Sequence, residues 1–188
     1  MSIQALASKY GLNPSKLRGQ NFLVDQNIVG KILEKAGLNE KDTVLEVGPG
    51  FGVLTKELVQ RVKRVVAVEL DKKISSFLQI EFNNAKNLDL VQGDILKVNI
   101  KGLNLKDYKI VTNLPYGISA HFLRKFLGQE PKPKEIVVML QKEVGERIIA
   151  GPGEMSLLSL SVQFYAHPEI LFPVSRGSFW PEPNVYSV

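Results

Sequence analysis

Cysteine is absent from the 188 residues, which excludes disulfides and thiolate-held metals. Histidine is nearly absent too: His121 and His167 stand far apart with no partners at ligand spacing, so no metal site is expected. No apolar stretch reaches the roughly 20 residues that cross a bilayer. Met1 to Tyr10 lack the basic start and apolar core of a secretory signal, leaving a cytoplasmic protein with no membrane partner as the expectation. Internal repeats and low-complexity tracts are missing as well.

What is present is a chain with 44% hydrophobic residues, enough to bury a sizeable core in one domain. A net charge of +5 and a pI near 9.3 favour a polyanionic partner such as nucleic acid. Mild basicity also serves solubility, and charge alone does not separate the two.

Strand-like and helix-like segments alternate. Short β-branched or apolar runs fall at Thr43 to Val47, Val65 to Glu69, Leu88 to Val91, Tyr108 to Thr112 and Glu135 to Leu140. Between them, Leu54 to Val62, Lys72 to Phe82, Ser119 to Leu127 and Gln141 to Ala150 carry apolar residues at three- and four-residue spacings, and a further helix is expected from about Gln26 to Ala36. That alternation predicts an α/β fold whose mostly parallel sheet is covered by helices on both faces, with ligands at the carboxyl ends of the strands.

The chemistry-bearing motifs fall at those ends. Gly48, Gly50 and Gly52 follow the first strand of this series and precede a helix, a turn in which backbone amides approach a ligand closely. Val53 stands where a dinucleotide fingerprint has its third glycine, which disfavours a pyrophosphate ligand. Glu46, just ahead of the turn, would repel a diphosphate and suit a ligand bearing an ammonium and a sulfonium. Glu69 closes the second strand, where a carboxylate accepts both hydroxyls of a ribose, and Asp94 closes the third, where it can accept from adenine's exocyclic amine. Each has a plainer alternative: an ion pair of Glu69 with Lys72 or Lys73, and a cap by Asp94 on the turn before Ile95. Three acidic strand ends in series point to S-adenosylmethionine, which leaves as S-adenosylhomocysteine after giving up its methyl group.

Asn113-Leu114-Pro115-Tyr116 ends the fourth strand. Adenine's exocyclic nitrogen is a poor nucleophile because its lone pair is delocalised into the ring. If the Asn113 side-chain oxygen and the Leu114 carbonyl accept its two protons, that lone pair becomes available. Pro115 restrains Leu114 to an extended backbone, and Tyr116 offers a flat face for stacking. The target base must be unstacked or single-stranded to enter such a pocket. Phe179 and Trp180 could furnish the opposite wall or fill the core at a sheet edge, the core being favoured for Trp180.

These motifs resemble those of the ribosomal RNA adenine dimethyltransferases of the KsgA type. The matching segments are Gly19 to Leu23, Glu46 to Gly52, Glu69-Leu70-Asp71, Gly93-Asp94, Asn113 to Tyr116, Gln141 to Val144, and Phe179-x-Pro181-x-Pro183-x-Val185-x-Ser187, in the family's order. The resemblance implies a Rossmann-like, class I methyltransferase sheet of seven strands, the last antiparallel. It implies dimethylation of two adjacent adenines in the 3′-terminal hairpin loop of small-subunit ribosomal RNA, on an assembling 30S subunit. It places Asn21, Leu23, Gly48, Glu69, Asp94 and Asn113 against the donor, with Gln20, Glu46, Gly50, Gly52, Leu70 and Ile95 beside them. Asn113, Leu114, Pro115, Tyr116 and Phe179 would hold the adenine.

The sequence departs from the family pattern in two places. Leu157-Leu158-Ser159 stand where the family has Tyr-Gly-Arg, and the family's small helical domain after the Phe-x-Pro-x-Pro motif has no counterpart before Val188. The expectation is a catalytic domain over 1–188, with 1–25 as an arm capping the site, acting as a monomer on RNA. Lys16, Arg18, Arg124, Lys125 and Arg147 are candidate phosphate contacts. Two rival readings are a large-subunit (23S) RNA adenine methyltransferase of the resistance type and a non-catalytic RNA-binding assembly factor on the same fold.

Overall fold

Continuous β-branched runs need both faces covered, and the structure, a computed structural model describing residues 3–12, 14 and 20–188, provides that cover. Helix α1 (Ile3–Tyr10) leads to strand β1 (Phe22–Leu23) and helix α2 (Gln26–Lys35), whose N-terminus is capped by Asp25 accepting from the Asn27 amide. The alternating body follows: β2 (Thr43–Val47), α3 (Val53–Arg61), β3 (Arg64–Glu69), α4 (Lys72–Glu81), β4 (Leu88–Gln92), β5 (Tyr108–Asn113), α5 (Ser119–Gly128), β6 (Glu135–Met139) and α6 (Lys142–Ile148). Helix α7 (Leu157–Gln163) and strand β7 (Phe179–Trp180) complete the described elements.

Strands β2 to β6 form one parallel sheet in the order β4-β3-β2-β5-β6. One face packs Phe122, Leu123 and Phe126 of α5 with Ile148 and Val162 of α6 and α7. The other packs Ile28, Val29, Ile32 and Leu33 of α2 with Leu54 and Leu58 of α3. A third apolar cluster joins Ala7 of α1 to Ile74, Phe77 and Leu78 of α4.

The seven-stranded sheet is corrected by this arrangement. Among the described residues the main sheet has five strands, and β1 and β7 pair antiparallel in a separate ribbon, Phe22 opposite Trp180 and Leu23 opposite Phe179. Antiparallel pairing beside β6 does begin: Val188 exchanges bonds of 2.9 and 3.0 Å with Leu140, and Ser187 exchanges bonds of 2.8 and 3.1 Å with Val174. It extends over too few residues to make a strand. The rest of the β6 flank borders a cleft of about 470 Å³ lined by Ile136, Val138, Ile170 and Phe172 among others.

Candidate active site

The chain runs outward from β2 through β3 to β4, then crosses back to lay β5 on the other side of β2. In a sheet of this kind the crevice opens at that reversal. Pairing of β2 with β5 is registered from Thr43 opposite Tyr108 to Leu45 opposite Ile110. Beyond it Thr112 takes over, its hydroxyl donating to the Val47 carbonyl at 2.6 Å and accepting from the Val47 amide at 3.1 Å. The glycine turn leaves β2 and the Asn113 corner leaves β5 on either side of this junction.

Gly48, Gly50 and Gly52 all have positive φ, at 64°, 57° and 75°, a region that side chains rarely adopt. At two of them space is also closed: a Cβ on Gly50 would lie 2.7 Å from Phe22 Cδ1, and one on Gly52 2.5 Å from Phe82 Cε2. Gly52 opens α3 without a side-chain cap, so the first amides of that helix face the cleft end unclaimed by a cap. Phe22, Phe51 and Trp180 form an aromatic cluster beside the turn, Phe22 stacking on Trp180 at 6.4 Å and meeting Phe51 edge-on at 4.7 Å.

Glu46 does not offer its charge to the cleft, contrary to expectation. It is 2% exposed and accepts from the Thr55 hydroxyl at 2.7 Å, which ties β2 to α3 beneath the turn. Burial pushes its pKa up to about 8, against the opposing effect of the Thr55 bond, with Glu69 adding to the rise. Glu69, also buried, accepts from the Gly50 amide at 3.3 Å and the Asp71 amide at 2.8 Å, so it orders the glycine turn itself rather than pairing with Lys72 or Lys73. Burial raises its pKa as well, and the backbone bonds oppose that. Asp94 accepts from the Leu96 amide at 2.9 Å, so the turn-capping alternative holds for one carboxylate oxygen. Leu70 is 54% exposed at the rim, whereas Ile95 is buried in the core.

At the facing corner, Asn113 Nδ2 donates to the Asn21 carbonyl at 3.2 Å. That bond joins the N-terminal segment to the end of β5 and fixes which end of the carboxamide remains an acceptor. Leu114 anchors the corner with a side chain 1% exposed. Pro115 packs near Gly48, where an added Cβ would sit 3.4 Å from its ring, so the two motifs touch. Tyr116 is half-buried, and its hydroxyl meets Ser187 Oγ at 2.7 Å. Gln20 and Asn21 are half-buried, and Leu23 lies in the core.

Phe179 is placed contrary to expectation, whereas Trp180 packs against an apolar cluster as expected. Phe179 is 4% exposed and packs with Leu23, Met139 and Val174, while Trp180 faces Phe22 and the glycine-turn side. Their roles divide because side chains alternate across a strand and pairing with β1 fixes which face each takes. Phe179 is core in this arrangement and presents no open ring face to a base.

Lys125 is likewise corrected as a phosphate contact. Its ammonium donates to the carbonyls of Ile95, Leu96 and Val98 at 2.9, 2.9 and 2.8 Å, which uses all three of its protons on the loop after Asp94. Burial lowers its pKa, with Asp94 acting in the opposite sense. Arg124 and Arg147 are exposed on α5 and α6, and Lys16 and Arg18 lie outside the described residues.

Three contributors had no assigned part in the sequence reading: Thr112, Thr55 and Phe22. A hydroxyl one residue before the Asn113 corner was the available signal for Thr112. Thr55 carried the helix-facing version of the same signal, nine positions after Glu46.

The chain matches the model of the family described as ribosomal RNA adenine dimethylase over residues 13–188. It is 47% identical over 181 residues to "Ribosomal RNA small subunit methyltransferase A" of Dehalococcoides mccartyi, covering 95% of this chain and 62% of that protein. Thus the chain spans about six-tenths of that curated relative's length. Among solved structures it is similar to a dimethyladenosine transferase from Plasmodium falciparum, with TM-score 0.79 and 30% identity over 89% of this chain and 61% of that one. It also resembles the 23S rRNA methyltransferase ErmE, with TM-score 0.78 and 28% identity over 89% of this chain and 67% of that one. With five parallel strands reversing at a glycine turn and an Asn-Leu-Pro-Tyr corner, and with a family match over nearly its whole length, the chain belongs to the ribosomal RNA adenine dimethylase family.

Proposed function

We propose that this chain is the catalytic part of an enzyme that dimethylates the exocyclic N6 of two adjacent adenines in the 3′-terminal hairpin loop of small-subunit ribosomal RNA, using S-adenosylmethionine during subunit assembly. The observation that carries the reading is the tied carboxamide of Asn113, held by Asn21 beside Pro115 and Gly48 at the sheet's reversal point.

The donor set fits the donor molecule. Glu69 spends one acceptor position of each oxygen on backbone amides, and a carboxylate has about four in all, so it retains capacity for a ribose diol. When bound, the donor supplies a methyl carbon already activated by its sulfonium. The protein's own work is on the acceptor. Asn113 Oδ1 and the Leu114 carbonyl accept hydrogen bonds from the amine's two N–H groups in the first transfer and from the one that remains in the second, directing the nitrogen lone pair at the methyl carbon, and Tyr116 holds the ring plane. One proton leaves the nitrogen for solvent after each transfer. Neither a metal nor a second copy of the chain is needed for that step.

The similarity to small-subunit methyltransferases at 39–47% identity favours this substrate over the 23S alternative, which the ErmE likeness keeps in view at 28%. The test is transfer of labelled methyl to small subunits lacking the modification. Dimethyladenine at two neighbouring positions supports the reading. Transfer to large-subunit RNA alone replaces it with the resistance-type activity, and donor binding without transfer to any RNA replaces it with the assembly-factor reading.

A further inference from the structure

We propose that Ser187 is a positioning residue for the acceptor base, acting through Tyr116. The proposal rests on the reading of Tyr116 as the surface on which the base stacks.

Ser187 is fully buried, and its Oγ lies 2.7 Å from the Tyr116 hydroxyl across 71 residues of sequence. A buried serine serves as a fixed point only if its backbone is fixed, and here both flanks are held. On one side Ser187 exchanges bonds of 3.1 and 2.8 Å with Val174. On the other, Val188 exchanges bonds with Leu140, and the Lys142 amide donates to the Tyr186 carbonyl at 2.9 Å. The hydroxyl therefore projects from a short stretch pinned between the end of β6 and the Val174 segment.

Tyr116 is held at its other end as well. Ser119 Oγ donates to the Tyr116 carbonyl at 3.0 Å, and the Ile118 amide donates to the Pro115 carbonyl at 3.2 Å. With backbone and phenol tip both fixed, the side chain has one place to stand beside the Asn113 corner. An untethered tyrosine would lose that freedom only on binding, and ordering one such side chain weakens association by roughly two- to twelvefold. Because the ring meets the base in ground state and transition state alike, the effect falls on KM rather than kcat.

The arrangement also explains why a polar pair is buried here. A pocket that needed only an aromatic wall could use phenylalanine at 116 and alanine at 187 with no polar group to satisfy. The hydroxyl pair adds direction, which apolar packing lacks.

The experiment compares the 188-residue protein with Ser187→Ala, Tyr116→Phe and the double variant, using RNA carrying the unmodified loop. Each single variant is expected to raise KM for RNA about three- to tenfold, with kcat within about twofold and donor affinity unchanged. The double variant should be no worse than either single one, because both remove the same tether. An unchanged KM in Ser187→Ala, or a double variant whose loss is the product of the two, overturns the proposal. A second readout is independent of transfer: in protein labelled with ¹³C at tyrosine Cζ, the signal that Tyr116→Phe removes should move in Ser187→Ala while the other four stay put. If the unaltered chain transfers no methyl group, the proposed function fails and this signal still decides the tether, an unmoved resonance overturning it.

Discussion

Asn113 Nδ2 and the carbonyl oxygen of Asn21 lie 3.2 Å apart, joining positions 92 residues distant in the chain. A carboxamide can turn either end toward a partner, and this bond sets the nitrogen toward Asn21 and leaves the oxygen as an acceptor, the one proposed above for the target amine. Asn113→Asp is the sharpest test, since the carboxylate cannot donate and sets a negative oxygen against a carbonyl. Methyl transfer should fall by about 100-fold or more, the scale of removing one aligned polar group from a reacting centre. Asn113→Ala should lose activity on the same scale, with donor affinity weakened less than about tenfold. Single-turnover transfer and calorimetric donor titration measure the two effects, and normal turnover by the alanine variant would falsify the assignment.

Thr112 governs how far β2 and β5 separate. Its hydroxyl both donates to and accepts from Val47, and the residue is 1% exposed, so Thr112→Val keeps the shape and removes both bonds. The Val47 amide and carbonyl are then left buried without this partner. Loss of about 1–3 kcal/mol in urea unfolding is expected, along with weaker donor binding as the crevice relaxes. A variant of undiminished stability would show that water or a shift of β5 replaces the hydroxyl.

The centre of the sheet was legible from sequence because β2, β3 and β5 are buried on both faces. Val44, Val65, Ile110 and Val111 are 0% exposed, and such runs announce themselves by composition. The acidic strand ends and the Asn113 corner were legible for a related reason: strand ends are where a parallel sheet collects ligand groups. What stayed hidden depends on pairing between distant segments. Two-residue β1 and β7 carry no periodicity, and their register alone sends Phe179 to the core and Trp180 toward Phe22. Arg124 and Lys125 look alike in sequence but stand about 100° apart around α5, and only the position of the Ile95 loop shows that one of them is occupied.

That difference makes a prediction. Lys125→Met should lower stability by about 1–3 kcal/mol, because the carbonyls of Ile95, Leu96 and Val98 lose a shared donor. The slope of log affinity for RNA against log salt should stay as it was. Arg124→Gln combined with Arg147→Gln should instead flatten that slope by about one to two units, at nearly unchanged stability. Filter binding across a salt series distinguishes them. A flattened slope for Lys125→Met would return that residue to the RNA interface.

Glu46 sets a pH dependence whose sign is opposite to that of an ordinary surface carboxylate. Its pKa is about 8 in the folded chain against a reference of 4.5, so between those values the folded state keeps a proton that the unfolded state releases. The contribution of Glu46 to stability is therefore fully present below about pH 4.5 and is lost as pH rises toward 8, by up to ~1.4 kcal/mol per pH unit for a single proton. Glu69 is shifted in the same direction and adds to the decline. Glu46→Gln preserves an acceptor for Thr55 and removes the titration, so its stability should fall less steeply across this range. The part due to Glu69 remains. Urea unfolding at pH 5, 6.5 and 8 provides the comparison. Parallel curves for the two proteins would mean that Glu46 ionises as readily in the fold as outside it, and that its burial beneath the glycine turn does not govern its charge.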